Sequence, residues 1–450
     1  MTPADRTALP GLGEPSPFEF PRVATDALPN GIRLSTIDRP RSELVTVLLL
    51  LRHGSAADPP GREGLAALTG DLLDEGSRER SGIELHRALQ RIGGALATEV
   101  TSDGTLVSVT ALARFAREAI AHLIEVVARP RFDPDDVDRV RGLRLNRLAQ
   151  MQRVAGAVAD RAWLAALYGS HPYAHSPVGS ASSLEAAGAE DVAAFHARHF
   201  GSPGWTVIVV GAGGARLRAL AAEQLAAVPG SGDGSPSPPP PDPEPSPRRL
   251  VFLSRPGAVQ SEIRLGHLGA ARTSPDYPAL LVLNMVLGGQ FVSRINSNLR
   301  ERKGYTYGAR TVLSLRRGRG PFLLRAAVET SATTDAIREA AAEIADIGGD
   351  RPVSAGELDG ARAALTRGFA RRFETAGQLA AAAMHLALFD LPADDYRTFV
   401  PRVAAVDAGD VAGAAARHLH PERLIAVVVG DSDRLLASLG EAGFGEPVEP

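Results

Sequence analysis

Residues 229–249 read PGSGDGSPSPPPPDPEPSPRR, with nine prolines between Pro229 and Pro247. No helix or central strand can run through such a stretch, because proline lacks the N–H and fixes φ. It should form an extended, polyproline-like spacer. It divides the 450 residues almost evenly, in a chain already longer than the roughly 250–300 residues at which one core stops growing. The expected organisation is a domain over 18–228, a linker over 229–249 and a second domain over 250–450.

The halves resemble each other. Residues 191–211 read DVAAFHARHFGSPGWTVIVVG, and residues 410–430 read DVAGAAARHLHPERLIAVVVG. Asp-Val-Ala, Ala-Arg-His and Val-Val-Gly coincide without a gap. Each segment predicts a helix followed by a buried strand. Upstream, at nearly the same offset, PDDVDRVRGLRLNRL (134–148) pairs with AGELDGARAALTRGF (355–369). Both predict helices with acidic first turns, favourable at the positive end of the helix dipole. Two matches at a shared offset argue for duplication.

Strands and helices mix within each half. Residues 44–51 (LVTVLLLL) predict a strand. Residues 81–92 predict a helix opened by a Ser81/Glu84 capping box and stopped at Gly93-Gly94. Residues 99–101 and 105–112 predict a hairpin turning at Asp103-Gly104. In the second half, 311–315 and 322–328 predict another. The fold class expected is α+β: two homologous domains, each a largely antiparallel sheet packed with helices, facing each other across the hinge.

Composition narrows function by exclusion. The net charge of −3 supplies no basic stripe for nucleic acid. No run reaches the ~18 uninterrupted apolar residues that span a bilayer, so no membrane partner is expected. The N-terminal residues MTPADRTALPGLGEPSPFEF lack a basic and then apolar signal pattern. The cytoplasm is the expected compartment, with the periplasm as the alternative. Zero cysteines exclude disulfides, thiolate zinc sites and a cysteine nucleophile. No G-x-S-x-G elbow or Walker loop occurs. The eleven histidines offer only pairs: His196 with His199, His171 with His175, His418 with His420. His199 and His418 are equivalent in the repeat, which suggests packing or capping.

Several segments, in order, carry a family resemblance: LPNGIRL (28–34), HGSAADPPGREGLAAL (53–68), HPYAHSPVGS (171–180), QSEIRLGH (260–267), LGGQFVSRINSNLRERKGYTYGA (287–309) and VVVGD (427–431). Together they resemble the pitrilysin/insulinase metallopeptidases, particularly processing-peptidase-like members, from about residue 28 to 431. The resemblance implies an inverted zinc motif, H-x-x-E-H, directly after the Gly64-Leu65-Ala66 entry. There the histidines hold zinc and the glutamate acts as base on its water. Here the five residues are Ala67, Leu68, Thr69, Gly70 and Asp71. Both ligands and the base are missing. A third ligand, a glutamate, is implied near 145–148, where RGLRLNRLAQMQR (141–153) holds no acid. His53, Asp71, Asp74 and Glu75 are the nearest substitutes. Without an adjoining histidine they would make a poor zinc site, and the acids read as solvated surface groups. No metal and no cofactor are therefore expected on this chain.

The second half keeps what the family uses on the other side of its chamber. Leu299-Arg300-Glu301-Arg302-Lys303-Gly304-Tyr305-Thr306-Tyr307 resembles the family's arginine and tyrosine seven residues apart. The resemblance implies that Arg300 and Tyr307 bind substrate backbone and help polarise the scissile carbonyl, roles suited to a guanidinium fork and a phenol donor. Gly288-Gly289 resemble the family's helix-entry loop. The implied function is a non-catalytic, substrate-binding subunit, inactive alone. It would pair with a homologue bearing H-x-x-E-H and zinc, and act on peptides or small unfolded proteins held extended at a sheet edge. A homodimer of the isolated chain stays open. So do a scaffold role without proteolysis and, third, an autonomous peptidase on a non-standard metal.

Overall fold

The computed structural model describes residues 18–230 and 237–449. Eleven strands form two sheets. The first takes β1 (Ala24–Ala27), β2 (Arg33–Asp38), β3 (Leu44–Leu51), β4 (Ala95–Val100), β5 (Thr105–Leu112) and β6 (Thr206–Gly211), in the order β1-β2-β6-β3-β5-β4. The second takes β7 (Arg249–Ser254), β8 (Gln260–Leu268), β9 (Thr306–Leu313), β10 (Pro321–Glu329) and β11 (Ile425–Gly430), in the order β7-β11-β8-β10-β9. Removing β1 makes the two orders identical strand for strand, so the repeat in the sequence is a repeat of topology. Among the described residues, the ladders β2–β6 and β7–β11 are parallel and the other ladders between these strands are antiparallel.

The helices follow the same repeat. Pro134–Gln152 matches Ala355–Thr366, Ala155–Tyr168 matches Ala376–Leu388, and Ala189–His199 matches Ala408–His418. The capping box forms as read: Ser81 Oγ accepts from Glu84 N, and Glu84 returns a bond to Ser81 N at 2.9 Å. β9 begins at Thr306, five residues before the expected start, which places Tyr307 inside the strand.

The unbroken apolar runs have a tertiary cause. Along β3, Val45, Val47, Leu49 and Leu51 belong to one core, while Leu48 and Leu50 belong to another. A strand covered on both faces has no reason to alternate apolar with polar residues. On one face lie helices of the same half. On the other face the halves exchange cover. Ala376–Leu388 of the second half packs on β3 and β6 of the first sheet, and Ala155–Tyr168 of the first half packs on β8 and β11 of the second. Trp163 is fully buried in that contact, its Nε1 donating to Ile425 O at 3.3 Å. The two expected domains are present, and each covers one face of the other's sheet with a helix.

Residues 237–248 carry no regular structure and run as a strap over both halves. Ser237 Oγ lies 2.7 Å from His53 Nδ1, Ser237 O accepts from Arg317 at 2.6 Å, and Pro241 O is 2.7 Å from His171 Nε2. The stretch Tyr277–Arg302 is long and apolar enough, by length and composition, to cross a membrane. Its apolar side chains Leu280, Val282, Leu283, Val286, Leu287, Ile295 and Leu299 are spent in the second half's core.

Candidate functional site

The helix that would carry zinc is built and held as a metal helix would be. Leu65–Asp71 starts at Gly64, whose φ of 100° favours glycine. A Cβ there would meet Gly179 Cα at 2.8 Å, and one on Gly179 would meet Glu63 O at 2.2 Å. The two glycine motifs of the sequence thus form one close backbone contact. Asp58 accepts from Gly64 N and Ala66 N, both at 2.7 Å, and lies 3.1 Å from His175 Nε2.

The ligand positions hold other chemistry. Ala67 is buried, and a Cβ on Gly70 would sit 3.1–3.2 Å from the methyls of Val100 and Thr98. On the facing helix Pro134–Gln152, Leu148 is buried in the first core. One turn earlier, Arg144 reaches into the pocket between the two helices and β4. Its side chain is 8% exposed and its NH1 donates to Asp71 Oδ2 at 2.5 Å. NH2 donates to Pro177 O at 2.9 Å. A fixed guanidinium beside the former ligand position repels a divalent cation, so these residues do not fit zinc.

The acids lie at the surface, as expected, and are held in ion pairs there. Asp71 pairs with Arg144, Glu75 with Arg139, and Asp74 Oδ2 lies 3.3 Å from His86 Nε2. Burial pushes the Asp74 carboxyl above the usual carboxylate range, with His86 opposing and Glu75 and Asp71 adding. The sequence reading missed Arg144 and Arg147, which both line this pocket. The available signal was the arginine spacing 141, 144, 147 facing a run of acids.

The histidines do not assemble. His53 is buried away from the pocket, its Nδ1 3.2 Å from His199 Nδ1. Burial, then the His53 ring, push the His199 imidazole down to about 4. His196 bonds to Val127 O at 2.8 Å and His418 to Asp276 at 2.7 Å. The repeat-equivalent His199 and His418 therefore do different structural work. Among the described residues no group of three His, Asp or Glu is placed to hold a metal.

In the second half, Arg300 and Tyr307 both reach solvent. Arg300 lies on the π-turn Ser297–Arg302, about a third exposed. Its guanidinium sits 4.1 Å from the ring centroid of Phe291 and 3.3 Å from Glu301. Tyr307 is 91% exposed on β9, the last strand of its sheet. The β9–β10 register shifts between Ala326 and Val328, leaving Tyr307 and Gly308 opposite Ala327 alone. That bulge turns Tyr307 off the ladder. Gly288 and Gly289 stand ahead of the loop that leads into the helix starting at Arg294. They close the turn Met285–Gly289, where a Cβ on Gly288 would meet Thr311 N at 2.8 Å. Asn296 Oδ1 accepts Ala309 N–H at 2.8 Å, so part of the β9 edge is already occupied.

Fold and site define a duplicated two-sheet α+β chain of peptidase architecture whose own metal position is filled by an ion pair. The comparisons agree. Residues 33–179 match the family described as insulinase (peptidase family M16), and residues 186–365 match the peptidase M16 inactive domain. The chain belongs to the insulinase, or M16, family, as an inactive-type member. An uncharacterised zinc protease of Mycobacterium tuberculosis is 27% identical over 424 residues, 93% of this chain and 94% of that one. The mitochondrial-processing peptidase β subunit of Blastocladiella emersonii is 23% identical, covering 60% of this chain and 58% of that one. In structure, a peptidase M16 inactive-domain protein from Pseudomonas fluorescens superposes with a TM-score of 0.85 at 23% identity, covering 91% and 98%. A protease from Helicobacter pylori gives 0.83 at 16%, covering 91% and 100%.

Proposed function

We propose that this chain is the non-catalytic, substrate-binding subunit of a two-chain zinc peptidase, offering Arg300 and Tyr307 to a partner that carries the metal. The observation that carries this reading is the contrast between the two halves of one duplicated chain. In the first half the ligand position is closed by Arg144 and Asp71 at 2.5 Å. In the second, Tyr307 stands 91% exposed on a bulged edge strand, and Arg300, seven residues earlier, is stacked on Phe291. A large aromatic left unpacked on an edge strand is characteristic of a binding surface. Among the described residues no donor group complements it with a metal and a base, which favours a homologous H-x-x-E-H partner. Substrates under this reading are extended peptides or small unfolded proteins, and the isolated chain pairs, if at all, with itself.

The test is reconstitution with such a partner. The chain alone should not cleave a casein-derived peptide mixture, and the pair should. Tyr307→Phe should lower kcat by about 10- to 1,000-fold, the scale of one lost oxyanion donor, with the pair still assembled by gel filtration. Full activity from the partner alone would overturn the reading in favour of a scaffold role.

A further inference from the structure

Beside Tyr307, three arginines cross the second sheet in one row. Arg264 on β8 is the register partner of Arg325 on β10, and Arg325 of Arg310 on β9. Directly opposed residues of antiparallel strands project to the same face, with Cβ atoms about 5 Å apart. Like charges so placed repel one another. Carboxylates answer the first two. Arg264, buried, donates to Asp160 Oδ1 at 2.5 Å and to Glu262 Oε2 at 2.9 Å, and Arg325 Nε lies 3.3 Å from the same Asp160 oxygen. Arg310 stands exposed at the sheet edge and has no ion-pair partner among the described residues. The chain as a whole carries −3, so this excess of positive charge is local.

All three arginines line one groove of about 600 Å³, walled opposite by the turn from Gly288 to Phe291. Glycine and alanine dominate the rest of its lining, which lets a peptide backbone approach closely. Phe291, 66% exposed, offers an apolar contact at its mouth. We infer that this groove takes an extended peptide through an acidic side chain, an aspartate or glutamate set against Arg310. A guanidinium fork meets a carboxylate with two parallel hydrogen bonds, and that carboxylate ends the arginine row with the charge it lacks. The groove's volume of about 600 Å³ and the exposed Phe291 in its lining suit a peptide better than a small free anion. The inference rests on the reading of this chain as a peptide-binding subunit and adds the class of peptide.

The test is calorimetric titration of the full chain with peptides of about ten alternating Thr and Val residues. Both ends are blocked, and Asp, Asn or Lys stands at the centre. The Asp peptide should bind about tenfold more tightly than the Asn peptide, the scale of one charge-assisted contact. Arg310→Gln should erase that difference while leaving the Asn peptide's affinity unchanged, and Arg310→Glu should favour the Lys peptide. Salt near 0.5 M should shrink the preference, since the contact is exposed. Equal affinity for Asp and Asn peptides, a preference that survives in Arg310→Gln, or no binding of any peptide would overturn the inference. No partner or cleavage is needed. A failed titration with successful reconstitution therefore removes only the acidic preference, and a failed reconstitution with the preference intact removes only the shared zinc site.

Discussion

Arg144 and Asp71 show how one residue can redirect a site. Arg144 is buried but Asp71 is 45% exposed, so the pair sits at the pocket's rim and solvent discounts its strength. The asymmetry between its members is testable. Asp71→Ala leaves a buried guanidinium with two backbone carbonyls as its remaining acceptors, and should cost about 1–2 kcal/mol. Arg144→Met, which fills the same volume with apolar atoms, should cost less, and the double variant should recover most of the Asp71→Ala loss. Urea unfolding of the four proteins measures this. A double variant as unstable as the sum of the singles would show that the two residues do not interact. The loss of metal ligands was readable from residues 67–71. Their replacement by an arginine from a helix 73 residues later was not, because an ion pair across that separation has no local pattern.

At the scale of elements, the segment bearing Arg300 is anchored by charge. Arg294, just upstream, is buried and forks onto Glu357 at 2.7 and 2.8 Å, while Glu357 also caps its own helix at Ser354 N, 2.9 Å. The Arg294 bonds, then Ser354, hold the Glu357 carboxyl down to about 2 against the opposing effect of burial, below its ordinary 4.5. A folded value below the unfolded one means stability that is fully present above about pH 4.5 and drains away as pH falls towards 2. Glu357→Gln should therefore be less stable than the parent at pH 7, by about 1 kcal/mol, and the gap should close at pH 3. Urea midpoints at the two pH values check this, and a gap independent of pH would mean that the carboxylate charge is not what anchors the turn. The sequence reading predicts the Ser81/Glu84 capping box, and an acidic first turn at 355–369, but not the Ser354/Glu357 box that the structure shows. The second use of Glu357, to hold the Arg300 segment, depends on a contact 63 residues away.

For the whole molecule, the exchange of helices decides the mechanical character. Each sheet has one face covered by a helix of the other half, so neither half has a complete core alone. Fragments cut within residues 231–236 should be insoluble when made singly and should form a soluble complex when made together. The intact chain should unfold in one transition, and Trp163→Ala should lower the stability of both halves by about 3–5 kcal/mol. Two separate transitions in calorimetry would contradict the shared core. A chain interlocked in this way is rigid between its halves. An opening and closing chamber, under the proposed function, must then lie between this chain and its partner, not within it.

The sequence by itself determined the duplication, the α+β class, the strands and caps, and the absence of zinc chemistry at residues 67–71. These follow from local periodicity, capping residues and side-chain identity, all of which act over a few residues. It also pointed to Arg300 and Tyr307 through the resemblance of 299–307 to the family's arginine–tyrosine segment. Only the tertiary structure decided that the halves swap helices across their sheets, that Arg144 occupies the metal helix's pocket, and that Arg264, Arg325 and Arg310 stand in one row. The physical reason is the same in each case. Sheet registers and buried ion pairs join residues far apart in the chain, and strands covered on both faces look alike whichever helix covers them.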